Sequence, residues 1–147
     1  MNEAFIYDAI RTPRGRGSRE GALYEVKPID LLGALLGAMR DRHDLDTRIL
    51  DDAIVGCVTP ISDQGFNLAK ASLLHADYSE NVPGMQINRY DASGLEAVNL
   101  AAAKVRANWS RMLLAGGSES TSRIPSGSDG GPLASDPELT NRIGYLP

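Results

Sequence analysis

"NRYDASGLEAV", residues 88 to 98, is the stretch on which the reading of this chain turns. The run "GMQIN" (84–88) enters it from one side with the character of a short strand. On the other side Ala97, Leu100, Ala101, Lys104 and Val105 recur at intervals of three and four, which predicts a small-residue helix over 93–108. Asp91 therefore stands between a strand and the mouth of a helix. Two readings of it are open. Ser93 and Glu96 have the spacing of a capping box, and a carboxylate just outside that box is favourable in its own right. Alternatively, a strand, a tight turn and a helix start aim one side chain at an anion-friendly spot that suits a nucleophile or an oxyanion. The small neighbours Ala92, Ser93 and Gly94 would let a substrate come close.

Working outward, "AIVGCV" (53–58) reads as a buried strand ended by Pro60, and "RMLLA" (111–115) as another before Gly116 and Gly117. "AFIYDAI" (4–10) mixes aromatic and branched residues and predicts a first strand. In "KPIDLLGALLGAMRDR" (27–42), Leu31, Leu32, Leu35, Leu36 and Met39 share one helical face, and Pro28 suits the first turn. Gly33 and Gly37 weaken that helix by propensity but permit a close neighbour. A further helix is expected over 67–74. Strands alternating with helices at these intervals predict an α/β fold with a mostly parallel sheet. After Ser122 the periodicity fails in "SRIPSGSDGGPLASDPELTNRIGYLP", a long polar segment without a terminal helix or strand to close the layer. The expected organisation is an α/β domain over 1–121, with 122–147 the beginning of a loop or lid region that is cut short.

The composition narrows the function classes. A chain of 147 residues with 42% apolar and 23% charged residues can bury one core and is neither disordered nor fibrous. Its 15 Lys and Arg against 19 Asp and Glu argue against a nucleic-acid partner, which is held by phosphate neutralisation. The densest basic stretch, Arg11 to Arg19, is broken by Pro13, Gly15 and Gly17 and reads first as a solvated loop, second as an anion contact. Cys57 is the only cysteine, so no internal disulfide forms, and its apolar neighbours suit a small buried thiol. His43 and His75 have no metal-ligand spacing with each other or with Cys57, so no metal is expected. No uncharged run approaches membrane-spanning length and the N-terminal stretch lacks secretory character, which makes a cytoplasmic protein the default.

The segment 88–98 resembles the nucleophile segment of the thiolase family, the acyl-CoA C-acyltransferases, whose pattern runs Asn-Arg-aromatic-Cys-small-Ser-Gly-Leu-Gln/Glu-Ala-Val. Four more segments are similar in the family order: "DAIRTPRGR" (8–16), "GALYEVKPIDLL" (21–32), "VGCVTPISDQGFNLAK" (55–70) and "LLAGGSESTSRIPSGSDGG" (113–131). The resemblance implies a thiolase-like N-terminal domain followed by the start of the loop region over the acyl-CoA site. It also implies coenzyme A thioesters as substrates, no bound cofactor, and a homo-oligomer, dimer or tetramer, in the full-length protein. In such enzymes a cysteine thiolate attacks a 3-ketoacyl thioester, releases acetyl-CoA and passes the shortened acyl group to a fresh coenzyme A; the reverse, Claisen direction joins two acetyl-CoA units.

The resemblance carries two departures. The cysteine position falls on Asp91, and a carboxylate is a poorer nucleophile than a thiolate; its acyl adduct would be a mixed anhydride. The family's histidine base, second cysteine and asparagine-held water belong to a C-terminal half whose motifs do not occur here. His43 and His75 read as solvated or capping residues, and Cys57 aligns with a strand residue. The chain alone is therefore expected to be inactive, and a non-catalytic thiolase-like protein binding acyl-CoA or a partner subunit is the competing function. Arg89 is read as a pocket contact or as a buried ion-pair partner, and Glu119 as a tie between loop and sheet. Ser126, Ser128 and Asp129 fall in the incipient lid. By resemblance, Gln64 and Asn67 lie at a subunit contact. The short strand at 84–88 is expected at a sheet edge, and the face bearing Leu95, Ala97, Val98 and Leu100 is expected to be incompletely covered.

Overall fold

The computed structural model describes residues 2–143. Three parallel strands form its sheet: β1 (Asp52–Gly56), β2 (Gly84–Ile87) and β3 (Leu113–Gly117), in the order β2-β1-β3. Gly56 pairs with Ile87 on one side and with Gly117 on the other, so the three strands end at one level. β1 is buried throughout, as a strand flanked on both edges and covered on both faces must be. The chain leaves β1 through α2 (Leu68–His75) to β2, then returns through α3 (Ser93–Arg106) past β1 to β3. Right-handed crossovers in opposite directions place α2 and α3 on opposite faces. The alternation of β1 agrees. Ala53 and Val55 belong to the core with Leu68, Ala69 and Leu73 of α2, whereas Gly56 abuts the start of α3.

α1 (Pro28–His43) packs on α2 and closes that side of the core with Leu32 and Leu36. Pro28 occupies its first turn, and Asp44 ends it in a left-handed conformation with its amide bonded to the Arg40 carbonyl. A Cβ on Gly33 would lie 2.7 Å from the His75 ring, so this glycine sets the approach of α1 to α2. Gly37 has no such neighbour, and the expected close packing there is not found. Tyr78 reaches across the same layer and donates its hydroxyl hydrogen to the Leu36 carbonyl at 2.8 Å.

Several boundaries differ from expectation for identifiable reasons. β1 stops at Gly56 and not at Val58 because the amides of Val58 and Thr59 turn to the Glu119 carboxylate, at 2.6 and 3.3 Å. β3 begins two residues late because Asp51 draws the amides of Arg111 and Met112. Residues 4–10, expected to form a strand, have no ladder partner among the described residues. Phe5, Ile6 and Tyr7 are 68%, 76% and 83% exposed. Side-chain ties hold this segment: Asn2 bonds Asn108, and Asp8 bonds Arg42 at 2.9 Å and His43 at 2.7 Å. Aromatic and branched residues favour a strand only where a neighbouring edge takes up its backbone groups.

The segment after Ser122, read as patternless, contains two short helices, α4 (Pro132–Ser135) and α5 (Pro137–Ile143). The Asp136 carboxylate accepts from the amides of Glu138 and Leu139 and so caps α5. Tyr145, Leu146 and Pro147 lie outside the described residues. The exposure expected along α3 is present at Leu95, which is 64% exposed, and partial at Val98 and Leu100. Ala97, in contrast, is fully buried.

Candidate active site at the carboxyl ends of the strands

Asp91 lies four residues beyond Ile87, in the turn joining β2 to α3, outside the carboxyl ends of the parallel strands. Open α/β sheets bind their ligands at such ends. The turn is built by Ser93 and Asn88. The Ser93 hydroxyl accepts from the Arg89 amide at 2.8 Å and donates to the Tyr90 carbonyl at 2.5 Å. Asn88 accepts from the Tyr90 amide at 2.8 Å and donates to the Val58 carbonyl at 2.8 Å, fastening the turn to the end of β1. Between them Tyr90 takes φ of 48°, a left-handed value uncommon for a bulky aromatic residue. The result is a held turn with the Asp91 side chain exposed at the start of α3.

The expected capping box is not formed. Ala92 is the cap residue of α3 and has no side-chain cap; Ser93 is already helical and turns its hydroxyl back to residues 89 and 90. Glu96 pairs with Arg89 at 3.2 Å instead of reaching the backbone. Arg89 is thus an ion-pair partner, but an exposed one, and not the buried partner envisaged from sequence. Asp91 has no described hydrogen bond or ion pair of its side chain.

The helix start is seated directly on the sheet. A Cβ on Gly56 would fall 2.3 Å from the carbonyl carbon of Ser93, and one on Gly117 would fall 3.1 Å from Gly94 Cα. Three glycines on three elements thus bring the first turn of α3 into backbone contact with β1 and β3. The amino end of a helix favours negative charge, so residue 91 occupies an anion-stabilising position.

Beside this seat lies a polar cluster around the buried Gln64 that the sequence read only in part. Glu119 ties the segment after β3 to the sheet, as expected, by accepting from Val58, Thr59 and the Gln64 side-chain amide at 2.8 Å. Gln64 is fully buried inside the chain: its amide nitrogen also donates to the Thr59 carbonyl at 2.9 Å, and its oxygen accepts from the Ser120 amide at 2.5 Å. Its place in the 3-10 turn Ser62–Gln64 gave no sign of this role. Asn67 caps α2 by accepting from Lys70 and donates to the Gly84 carbonyl at 2.7 Å. Cys57 is buried, and burial together with the negative Glu119 pushes its thiol up to about 12, an inert state.

His43 and His75 lie at the ends of α1 and α2, paired with Asp8 and with Asp30 at 3.1 Å; neither bonds Asp91. Ser126, Ser128 and Asp129 are exposed in the segment before α4. Among the described residues no cluster of three or more His, Cys, Asp or Glu could hold a metal ion, and no helix is long and apolar enough to cross a membrane.

A parallel α/β layer with a held strand–turn–helix at its strand ends defines a class of domain in which one exposed side chain is presented at a helix mouth. Residues 4–135 match the family model of the thiolase N-terminal domain, and the chain belongs to the thiolase family. It is 38% identical over 125 residues to a steroid 3-ketoacyl-CoA thiolase of Mycobacterium tuberculosis, covering 85% of this chain and 30% of that protein. It is 41% identical over 126 residues to the 3-oxoadipyl-CoA/3-oxo-5,6-dehydrosuberyl-CoA thiolase of Escherichia coli, covering 85% and 31%. The fold is similar to the crystal structure of the Bacillus anthracis acetyl-CoA acetyltransferase, with a TM-score of 0.61 and 30% identity over 66% of this chain and 24% of that one. The chain thus spans about a third of the length of the curated relatives it matches.

Proposed function

We propose that these residues form the nucleophile-bearing part of a thiolase-like acyl-CoA C-acyltransferase, with Asp91 at the position of the family's nucleophilic cysteine. The observation that carries this reading is the held turn 88–93, which presents residue 91 at the mouth of α3 above the glycine seat. Relatives named as thiolases of CoA thioesters support the substrate class. Residues 1–121 would be the N-terminal α/β domain and 122–147 the start of the loop region over the acyl-CoA site.

Asp91 limits what the chain does alone. A carboxylate in the thiolate's place is a weaker nucleophile, and its fixed charge opposes an oxyanion at the same helix start. Neither histidine bonds residue 91, so no base is in place to activate a thiol there either. The chain is expected to show no thiolysis or condensation on acetoacetyl-CoA above background, with or without Asp91→Cys. In a longer polypeptide that carries the family's C-terminal motifs, Asp91→Cys should form an acyl-enzyme, seen as a mass increase on residue 91 after incubation with acyl-CoA. A rate of acetoacetyl-CoA cleavage proportional to the concentration of the Asp91 chain would refute the reading.

The carboxylate also favours a second reading, a non-catalytic thiolase-like protein that binds acyl-CoA or a partner subunit. Saturable acyl-CoA binding without an acyl-enzyme, even in the longer Asp91→Cys polypeptide, would select it. In either case β2 is an edge strand, and an unpaired edge invites association. The expected state is a homodimer or a poorly soluble fragment, tested by sedimentation at micromolar concentration; a monodisperse monomer would refute that part.

A further inference from the structure

Two arginines of the basic stretch 11–19 line a cleft that shares Gly117 with the glycine seat and includes Glu119. Arg14 and Arg16 lie on the loop 12–17, which faces Leu31, Leu32 and Leu35 of α1 and the segment 117–122 after β3, around a cavity of about 490 Å³. That volume is within the range of small-ligand sites. The loop is folded back on itself: a Cβ on Gly15 would meet the Leu23 side chain at 2.9 Å, and the Gly21 amide bonds the Ser18 carbonyl at 2.8 Å. Arg123, next to Ser122, donates to the carbonyl of Tyr24, next to Leu23, at 2.8 Å and so ties two segments of the lining together. The cleft is therefore braced by the fold itself.

Its lining is chemically divided. One wall is aliphatic, from Leu23, Leu31 and Leu35. Arg14 and Arg16, for which no described acid is a partner, line the cleft from the loop, and Ser120 lines it from the facing segment after β3. Ser120 is 4% exposed, and its oxygen is buried without a hydrogen-bond partner among the described residues. A buried hydroxyl left unpaired costs free energy that a ligand oxygen would recover. Glu119 is the one acid in the lining, and its oxygens are taken by Val58, Thr59 and Gln64. Two unpaired guanidinium forks suit a phosphate, and the leucine wall suits an apolar body attached to it.

We propose that this cleft binds an amphipathic phosphoester, its phosphate held by Arg14 and Arg16, its ester or neighbouring oxygen by Ser120, and its apolar part along Leu23, Leu31 and Leu35. The proposal is independent of whether residue 91 performs chemistry. Octyl phosphate is the probe, titrated by calorimetry into the full chain. Saturable binding is expected, tighter than that of inorganic phosphate and at least about tenfold weaker in the Arg14→Gln/Arg16→Gln variant. Arg11→Gln/Arg19→Gln removes the same charge from residues that do not line the cleft, and should leave binding unchanged. Displacement of octyl phosphate by coenzyme A would identify a nucleotide-type phosphoester as the source, and displacement by phosphatidate vesicles a lipid headgroup. Absence of saturable binding, equal affinity for inorganic phosphate, or equal losses in the two double variants would overturn the proposal.

Discussion

Gly56 and Ser93 are in backbone contact across the sheet–helix junction: a Cβ on Gly56 would stand 2.3 Å from the Ser93 carbonyl carbon and 2.5 Å from the Gly94 nitrogen. Neither atom can yield without moving the first turn of α3. Gly56→Ala is expected to destabilise the domain by about 1–3 kcal/mol, the usual cost of overpacking, and to displace residue 91. Gly116→Ala is the comparison, because nothing lies within 4 Å of its Cβ position. Denaturant melts of the two variants measure the difference; equal midpoints would mean that α3 is not seated as described.

Ser93 holds the turn that presents Asp91. Ser93→Ala removes the acceptor for the Arg89 amide and the donor to the Tyr90 carbonyl, at a cost of about 1–2 kcal/mol. Hydrogen exchange at Arg89 should accelerate while exchange within β1 keeps its rank order. Unchanged protection at Arg89 would place the restraint elsewhere.

Gln64 satisfies three groups at once, so its loss is felt by each. Gln64→Leu leaves the Ser120 amide and the Thr59 carbonyl without their partner and removes one of the two donors to Glu119 Oε1. The expected destabilisation is about 2–4 kcal/mol, read from denaturant midpoints. Gln64→Glu should be no milder, because it sets a second carboxylate against Glu119 and offers no donor to Thr59.

The thiol of Cys57 makes stability depend on pH in the alkaline range. Its folded value, about 12, lies above the ordinary 9.0, so between these limits the unfolded chain has released a proton that the folded chain retains. Stability therefore falls as pH rises from about 9 towards 12, and Cys57→Ala should flatten that slope. The buried thiol should also resist iodoacetamide at pH 8 until the chain is unfolded. Rapid labelling of the native protein would contradict the burial found here.

The segment 2–11 is tethered through Asp8, whose carboxyl is lowered to about 2, first by His43 and then by Arg42. A lowered carboxyl contributes above its ordinary value of 3.8 and loses that contribution as pH falls through about 2. Asp8→Asn should increase the susceptibility of residues 2–11 to limited proteolysis at neutral pH, with the core intact. Identical cleavage of both proteins would show that the tether is made by other contacts.

Local periodicity was enough for α1, α2, β2 and α3, because each presents an apolar pattern or terminal signal that is decided within its own residues. Pro28 starts one helix, Asn67 caps another, and the small residues from Ala97 to Val105 define a third. The segment 88–98 likewise located residue 91 at a helix mouth, since strand, turn and helix signals all fall within a dozen residues. Tertiary structure decided the rest. Whether "AFIYDAI" becomes a strand depends on a free edge elsewhere, and whether Gly37 admits a neighbour depends on which turn of α1 meets α2. Ser93 and Glu96 had the spacing of a capping box, but the Arg89 amide and the Arg89 guanidinium, both brought back by the left-handed Tyr90, claimed them instead. The buried Gln64 became the centre of a network only because Thr59, Glu119 and Ser120 converge on it from positions up to 56 residues away. A hydrogen-bonding group takes whichever partner the fold brings within reach, and a linear pattern records the group without recording that partner.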